Sequence, residues 1–233
     1  MKQLLAALTA AWMVLPGVGM AQSNPVVVEL FTSQGCSSCP PADELMHKLA
    51  KRDDVIALAL HVDYWDYIGW KDLFADPAYT KRQHRYAYRG GRDVVYTPQM
   101  IINGQEDVVG ARAMELADLI TRHKQNAAVV TVSTKRDGNA LRIDAQAVDG
   151  VPKGRLVVQL VRFSPKRRVE ITRGENAGRT ITYANVVEDW SVLGEWNPKS
   201  PLSVEADLDG DLPAVVLIQQ KGAGAILAAA KVE

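Results

Sequence analysis

An α/β unit followed by an all-β unit is the fold class this chain predicts. Three observations carry it. Apolar strand-like runs alternate with helical ones up to about residue 126; helical periodicity disappears beyond that point; and short runs of alternating polarity, separated by Asp-Gly and Gly-rich turns, fill the remainder.

In chain order, Val26 to Phe31 reads as extended, Ala42 to Arg52 as helical, Val55 to Val62 as extended, Ala78 to Tyr88 as helical, Gln99 to Asn103 as extended and Ala113 to His123 as helical. The strands are continuous apolar runs, as expected of a sheet covered on both faces. Beyond residue 127, Leu141 to Ala147 alternates cleanly, and similar runs recur at Leu156 to Phe163, Arg179 to Val187, Leu202 to Asp207, Ala214 to Gln219 and Ala225 to Val232. Asp137-Gly138, Asp149-Gly150, Asp209-Gly210 and Gly222-Ala223-Gly224 punctuate them. This half predicts a β-sandwich or barrel of roughly seven or eight strands. Ser164-Pro165-Lys166 reads as a hairpin turn within the basic cluster Arg162, Lys166, Arg167, Arg168, Arg173 and Arg179, whose charges are expected to be solvated.

The first residues indicate a compartment. Lys2, the apolar stretch Leu4 to Leu15, the pair Pro16-Gly17 and the small residues Gly19 and Ala21 form a secretory signal pattern, too short for a membrane-spanning helix. The expected organisation is a signal peptide over 1–21, an α/β domain over 22–126 and a β-sandwich-like domain over 127–233. The mature protein is expected in the periplasm or outside the cell, without a membrane anchor, where dithiols can be oxidised. Acidic and basic residues balance at 27 each, which argues against a generic nucleic-acid binder.

Cys36 and Cys39 are the only two cysteines. They lie in Gly35-Cys36-Ser37-Ser38-Cys39-Pro40-Pro41, between a strand and a helix. A bridge this short closes almost no loop, so its value is expected to be chemical rather than mechanical. If Cys36 opens the helix, free N–H groups and the helix dipole favour its thiolate, which makes it the nucleophile and Cys39 the resolving thiol. Pro40 and Pro41 fit a first helical turn. Glu29, seven residues before Cys36, is either a buried carboxylate able to exchange a proton with Cys39 or a side chain facing water from an edge strand. Pro98, in Tyr96-Thr97-Pro98, sits at the first residue of a strand, where proline is tolerated.

The order strand, Cys-x-x-Cys, helical crossover, Thr-Pro before a strand, final helix resembles the thioredoxin fold. That resemblance implies a nucleophilic Cys36, a resolving Cys39 and a substrate-facing cis Pro98 preceded by Thr97; Glu29 matches the fold's buried acid only approximately, its spacing to the first cysteine being one residue longer. Four segments resemble more specifically a family of secreted thioredoxin-like proteins catalogued as domain of unknown function 1223: Glu29 to Asp43, His61 to Asp66 with Gly69-Trp70, Tyr96-Thr97-Pro98-Gln99, and Arg173 to Arg179. The likeness spans nearly all of the mature chain and implies a fold and a location rather than a substrate. His61, Asp63, Tyr64, Trp65 and Asp66 then form either a binding rim beside the dithiol or a packed aromatic cap. Arg173-Gly174-Glu175-Asn176 is either a loop docked on the dithiol domain or a tight turn.

The expected activity is thiol-disulfide exchange on protein or small-molecule thiols and disulfides, with a redox partner protein and no bound cofactor. Two alternatives use the same cysteines. Two thiolates with a histidine suit copper(I) or zinc, although none of His47, His61, His84 and His123 stands at a recognised metal spacing from the cysteines and no metal ligand set is assigned. A permanent structural disulfide, with the β half acting in binding, is the other.

Overall fold

A computed structural model describes residues 24–232; the expected signal segment lies outside them. The N-terminal half runs β1 (Val26–Thr32), α1 (Pro40–Leu49), β2 (Val55–His61), a 3-10 turn (Asp66–Ile68), α2 (Pro77–Arg89), β3 (Gln99–Ile102), β4 (Glu106–Val109) and α3 (Ala113–Gln125). β1 and β2 pair in parallel through the α1 crossover, and β3 runs antiparallel to β1 on its other side. Both central strands are buried along their whole length. Successive residues alternate faces: Val26, Val28 and Leu30 pack with Met46 and Leu49 of α1 and with Leu116 and Ile120 of α3, whereas Val27 and Phe31 pack with Tyr79 and Tyr86 of α2. Helix α2 starts where its sequence supplies a cap, Asp76 accepting from the Ala78 N–H with Pro77 following.

The C-terminal half runs β5 (Val130–Asp137), β6 (Ala140–Ala147), β7 (Leu156–Ile171), β8 (Arg179–Trp196), β9 (Leu202–Asp207), β10 (Ala214–Gln220) and β11 (Ile226–Lys231). It does not close on itself as a separate sandwich. Four of its strands continue the N-terminal sheet, giving an eight-stranded order β11-β10-β7-β8-β2-β1-β3-β4, and only β5, β6 and β9 form a second sheet. That small sheet packs on the outer face of the extension, Val132, Leu141 and Ile143 meeting Val158, Leu160, Val216 and Ile218. The inner face of the same strands, Val161, Val215 and Leu217, joins the α2 core. β10 is therefore apolar on both faces, and its run of valine, leucine and isoleucine fits a covered strand better than the one-sided alternation of β6.

Two sequence expectations change here. Ser164-Pro165-Lys166 is not a turn: it lies inside the 16-residue β7, next to a register shift between Arg162 and Phe163. Proline has no N–H to offer a ladder and is tolerated at such an irregularity. Strands β7 and β8 consequently run far past the expected ends at Phe163 and Val187, and the real turn comes at residues 172–178. β4 was not anticipated, because Glu106-Asp107-Val108-Val109 buries only Val108 and shows no pattern long enough to read.

Within the large sheet the halves join where β8 meets β2. Val186 of β8 pairs in parallel with Ala59 of β2, and Asn185, at a φ of 50°, donates its side-chain amide to the Ala57 carbonyl at 2.9 Å in place of a backbone donor. Behind it, Glu29 is fully buried and accepts two hydrogen bonds from Arg82, at 2.6 and 3.1 Å, and one from the Tyr86 hydroxyl at 2.5 Å. The Arg82 guanidinium lies 3.9 Å from the Trp190 ring centre, and Gln219 and Gln159 continue the network to the Trp190 indole N–H. Removing one partner of a buried ion pair leaves the other charge uncompensated. Arg82→Ala is expected to cost about 3–5 kcal/mol in urea unfolding, and Glu29→Gln a smaller but clear loss.

Candidate functional site at the Cys36-Cys39 dithiol

β1 ends at Thr32, and the chain turns through Ser33-Gln34-Gly35 into Cys36. Cys36 and Cys39 form a disulfide with Cα atoms 5.4 Å apart. Cys39, not Cys36, is the N-cap of α1, which corrects the expected activation by a helix terminus. Pro40 and Pro41 carry no N–H, and the Ala42 and Asp43 N–H groups both donate to the Cys39 carbonyl. None of these first-turn donors is left for the Cys36 sulfur. Its contact is instead the Ser38 hydroxyl at 3.4 Å.

A hairpin arm covers this loop. Beyond its junction with β2, the β7–β8 pair continues as a two-stranded ribbon across α1, where the His47 Nε2–H donates to the Thr182 carbonyl at 2.8 Å. Its tip carries Asn176, almost fully buried, whose side-chain amide donates to the carbonyls of Gln34 and Cys36, both at 2.9 Å. Arg179 donates to the Asn176 side-chain Oδ1 at 3.0 Å, and Glu175 accepts from the Ser37 N–H at 3.3 Å. Gly174 has a φ of 76° and lies so close to Trp70 that an added Cβ would stand 3.2 Å from that side chain. The Arg173 to Asn176 segment is thus docked on the dithiol loop. With the tip in place Cys36 is 1% exposed and Cys39 is fully buried.

The loop after β2 supports the dithiol from the other side. Asp72, buried, accepts from the Gln34 N–H and holds His61 Nδ1, both at 2.7 Å, and the Trp70 indole donates to the Gln34 side chain. Trp65 packs on Gly35, where an added Cβ would lie 3.2 Å from the tryptophan Cβ, and its indole donates to the Thr97 hydroxyl at 2.7 Å. Trp65 thereby ties the dithiol loop to Thr97-Pro98. The Thr97-Pro98 bond is cis, and the β1–β3 register, with Phe31 opposite Gln99, sets Pro98 opposite Thr32.

The structure therefore gathers Cys36, Cys39, Thr97 and Pro98 at one end of the sheet, but not Glu29. Glu29 shares the α2 face with Val27 and Phe31, across the sheet from α1, and is committed to Arg82 and Tyr86. The acid on the dithiol side is Asp43, one helical turn after Cys39 and buried; its Oδ1 accepts from the Thr32 hydroxyl at 2.8 Å. Burial pushes its carboxyl up to about 7, against smaller lowering effects of His61 and the Thr32 hydrogen bond. His61, on the same face as Thr32, stacks edge-on against Tyr183 of the arm at 4.8 Å between ring centres. Asp43 and Asp72 escaped sequence reasoning as site residues, because nothing local marks an aspartate that distant partners enclose, whereas Asn176 lies in the segment for which docking was one of two readings, and the docked one holds. Among the described residues no group of three or more His, Cys, Asp or Glu gathers at metal-binding distances.

Residues 27–219 match the family described as protein of unknown function (DUF1223). The chain belongs to this family. The DUF1223 chain is also similar to the crystal structure of protein AGR_C_4864 from Agrobacterium tumefaciens, with 35% identity over 91% of this chain and 95% of that one and a TM-score of 0.76. HBP35 of Porphyromonas gingivalis matches at 14% identity over 90% of this chain and 74% of that one, with a TM-score of 0.62, a likeness of fold. The comparison with curated proteins found no match.

The raised Asp43 sets a pH dependence of folding. Between the ordinary carboxylate value near 4 and its native value near 7, the native state holds a proton that the unfolded state has released, so stability falls as pH rises through that window. Asp43→Asn is expected to remove this fall: its stability relative to wild type should grow by up to roughly 4 kcal/mol from pH 4 to pH 7 and then level off, as read by denaturant unfolding of the disulfide-intact proteins.

Proposed function

We propose that this protein is a secreted thioredoxin-like thiol-disulfide oxidoreductase, acting in the periplasm or outside the cell through Cys36 and Cys39. The observation that carries the reading is the convergence of the Cys-x-x-Cys disulfide, at the carboxyl end of β1, with Thr97-Pro98 at the start of the adjacent antiparallel strand. The strand order β2-β1-β3-β4, with α1 and α3 on one face and α2 on the other, supports the thioredoxin-like assignment. In this reading Cys36 is the nucleophile, its thiolate helped by the Ser38 hydroxyl, Cys39 resolves, and backbone beside Pro98 receives the substrate chain. The Thr97 hydroxyl oxygen accepts from the Trp65 indole and so positions Trp65 against the dithiol loop.

Burial of both sulfurs adds a condition: the arm tip must lift before a protein disulfide reaches Cys36. The same burial favours a second reading, in which the arm seals a permanent structural disulfide. Reduction kinetics separate them. For an exchange dithiol, Cys36→Ser abolishes exchange with a peptide disulfide, while Cys39→Ser accumulates mixed disulfides. Asn176→Ala leaves two carbonyls unpaired and weakens the closed arm by about 1–3 kcal/mol, so reduction by dithiothreitol is expected to quicken roughly tenfold. An equilibrium potential below about −300 mV, together with no mixed disulfide in Cys39→Ser, would establish the structural reading instead.

A further inference from the structure

The polar cluster beneath the dithiol has unused capacity. Three buried atoms in it have no hydrogen-bond partner: Asp43 Oδ2 from α1, His61 Nε2 from β2 and the Tyr183 hydroxyl from β8. They belong to one electrostatic neighbourhood, since the Asp43 carboxyl feels His61 and the Tyr183 phenol feels Asp43 and Asp72. Cys39 is the helical N-cap and Asp43 stands four residues on, its N–H bonded to the Cys39 carbonyl at 3.1 Å, so the two side chains share one face of the first turn. Asp43 also lines a crevice of about 500 Å³ between α1 and the arm, bounded by Pro40, His47, Arg179 and Thr182, which sets this buried residue beside solvent-accessible space.

We propose that Asp43 is the proton-transfer residue of Cys39, exchanging protons with solvent through the crevice between α1 and the β7–β8 arm, with His61 and Tyr183 completing the polar pocket that holds it. The inference rests on the oxidoreductase reading. When the reduced protein meets a disulfide R–S–S–R′, the Cys36 thiolate attacks one sulfur, forms the Cys36–S–S–R bond and expels R′S⁻. The Cys39 thiol then gives its proton to the Asp43 carboxylate and attacks the Cys36 sulfur. The Cys36–Cys39 bond forms, the Cys36–SR bond breaks, and RS⁻ leaves. Two electrons pass to the substrate, and Asp43 returns its proton to water through the crevice. In reverse, an incoming thiolate attacks Cys36 and protonated Asp43 supplies the departing Cys39.

The groups facing Asp43 set where this step responds to pH. Thr32 from β1, His61 from β2, Asp72 from the loop after β2, and Arg179 and Tyr183 from β8 surround it; Glu44 and His47 flank it on its own helix along the crevice. Burial dominates and brings its titration to about 7, within reach of ordinary assays.

The test uses the reduced mature protein and an aromatic disulfide that releases a coloured thiolate. The first equivalent reports attack by Cys36, and the second, unimolecular in the protein, reports resolution by Cys39. In wild type the second rate is expected to rise with pH through about 7. Asp43→Asn should lose that limb and lower the ratio of second to first rate by about 100-fold, with Asp43→Glu restoring part of it. Thr32→Val, which removes a bond that favours the carboxylate, should move the limb to higher pH. An unchanged second-step profile in Asp43→Asn and in Thr32→Val overturns the assignment. A wild type that releases no second equivalent overturns the oxidoreductase reading itself.

Discussion

The buried pair of Glu29 and Arg82 constrains everything else in this molecule. A carboxylate on the central strand, without access to water, requires a cation, and that cation comes from α2 with Trp190, Gln159 and Gln219 of the C-terminal half closed around it. The pair itself lies within the N-terminal half, between β1 and α2, and Gln219 and Trp190 of the C-terminal strands complete the surroundings of Arg82. A carboxylate of the α/β half is thus satisfied inside a pocket finished by the β half, and the burial of Tyr86, whose phenol is pushed well above its usual range, keeps a donor on Glu29.

From that arrangement the arm follows. Beside its single pairing with β2, the long β7–β8 ribbon leaves the sheet and crosses α1, where His47 meets the Thr182 carbonyl, and so reaches the end of β1 where the dithiol lies. There it delivers Asn176 to the carbonyls on either side of Gly35. Its length is what covers the dithiol: a hairpin ending near Phe163, as the sequence pattern suggests, would not bring Asn176 to the Cys36 carbonyl. The covered dithiol and the crevice beside α1 both depend on that ribbon.

Sequence reasoning and structure diverge where chemistry depends on partners distant along the chain. Glu29 was legible as an anomalous acid in an apolar strand, and the burial in one of its two readings holds; exposure at an edge does not, and neither does proton transfer to Cys39, because Arg82, 53 residues away, engages the carboxylate on the face of the sheet opposite α1. Asp43 enters the sequence pattern only as the last residue of the Glu29 to Asp43 segment and inside the helix expected over Ala42 to Arg52. Nothing local distinguishes a first-turn aspartate that faces water from one that Thr32, His61 and Tyr183 enclose.

The sequence by itself determined the alternation of strands and helices to about residue 126, the loss of helical period afterwards, the two cysteines between β1 and α1, and the proline at the head of β3. These are properties of short windows, set by side-chain periodicity and by the backbone limits of proline and glycine. Only the tertiary structure decided that the β-rich half extends the first sheet, that Pro165 sits within a strand, and that Asn176 seals the dithiol. Each of these turns on which strand edges pair and which buried charges meet. Such choices are settled by long-range burial and hydrogen-bond satisfaction, and a window of local pattern contains no record of them.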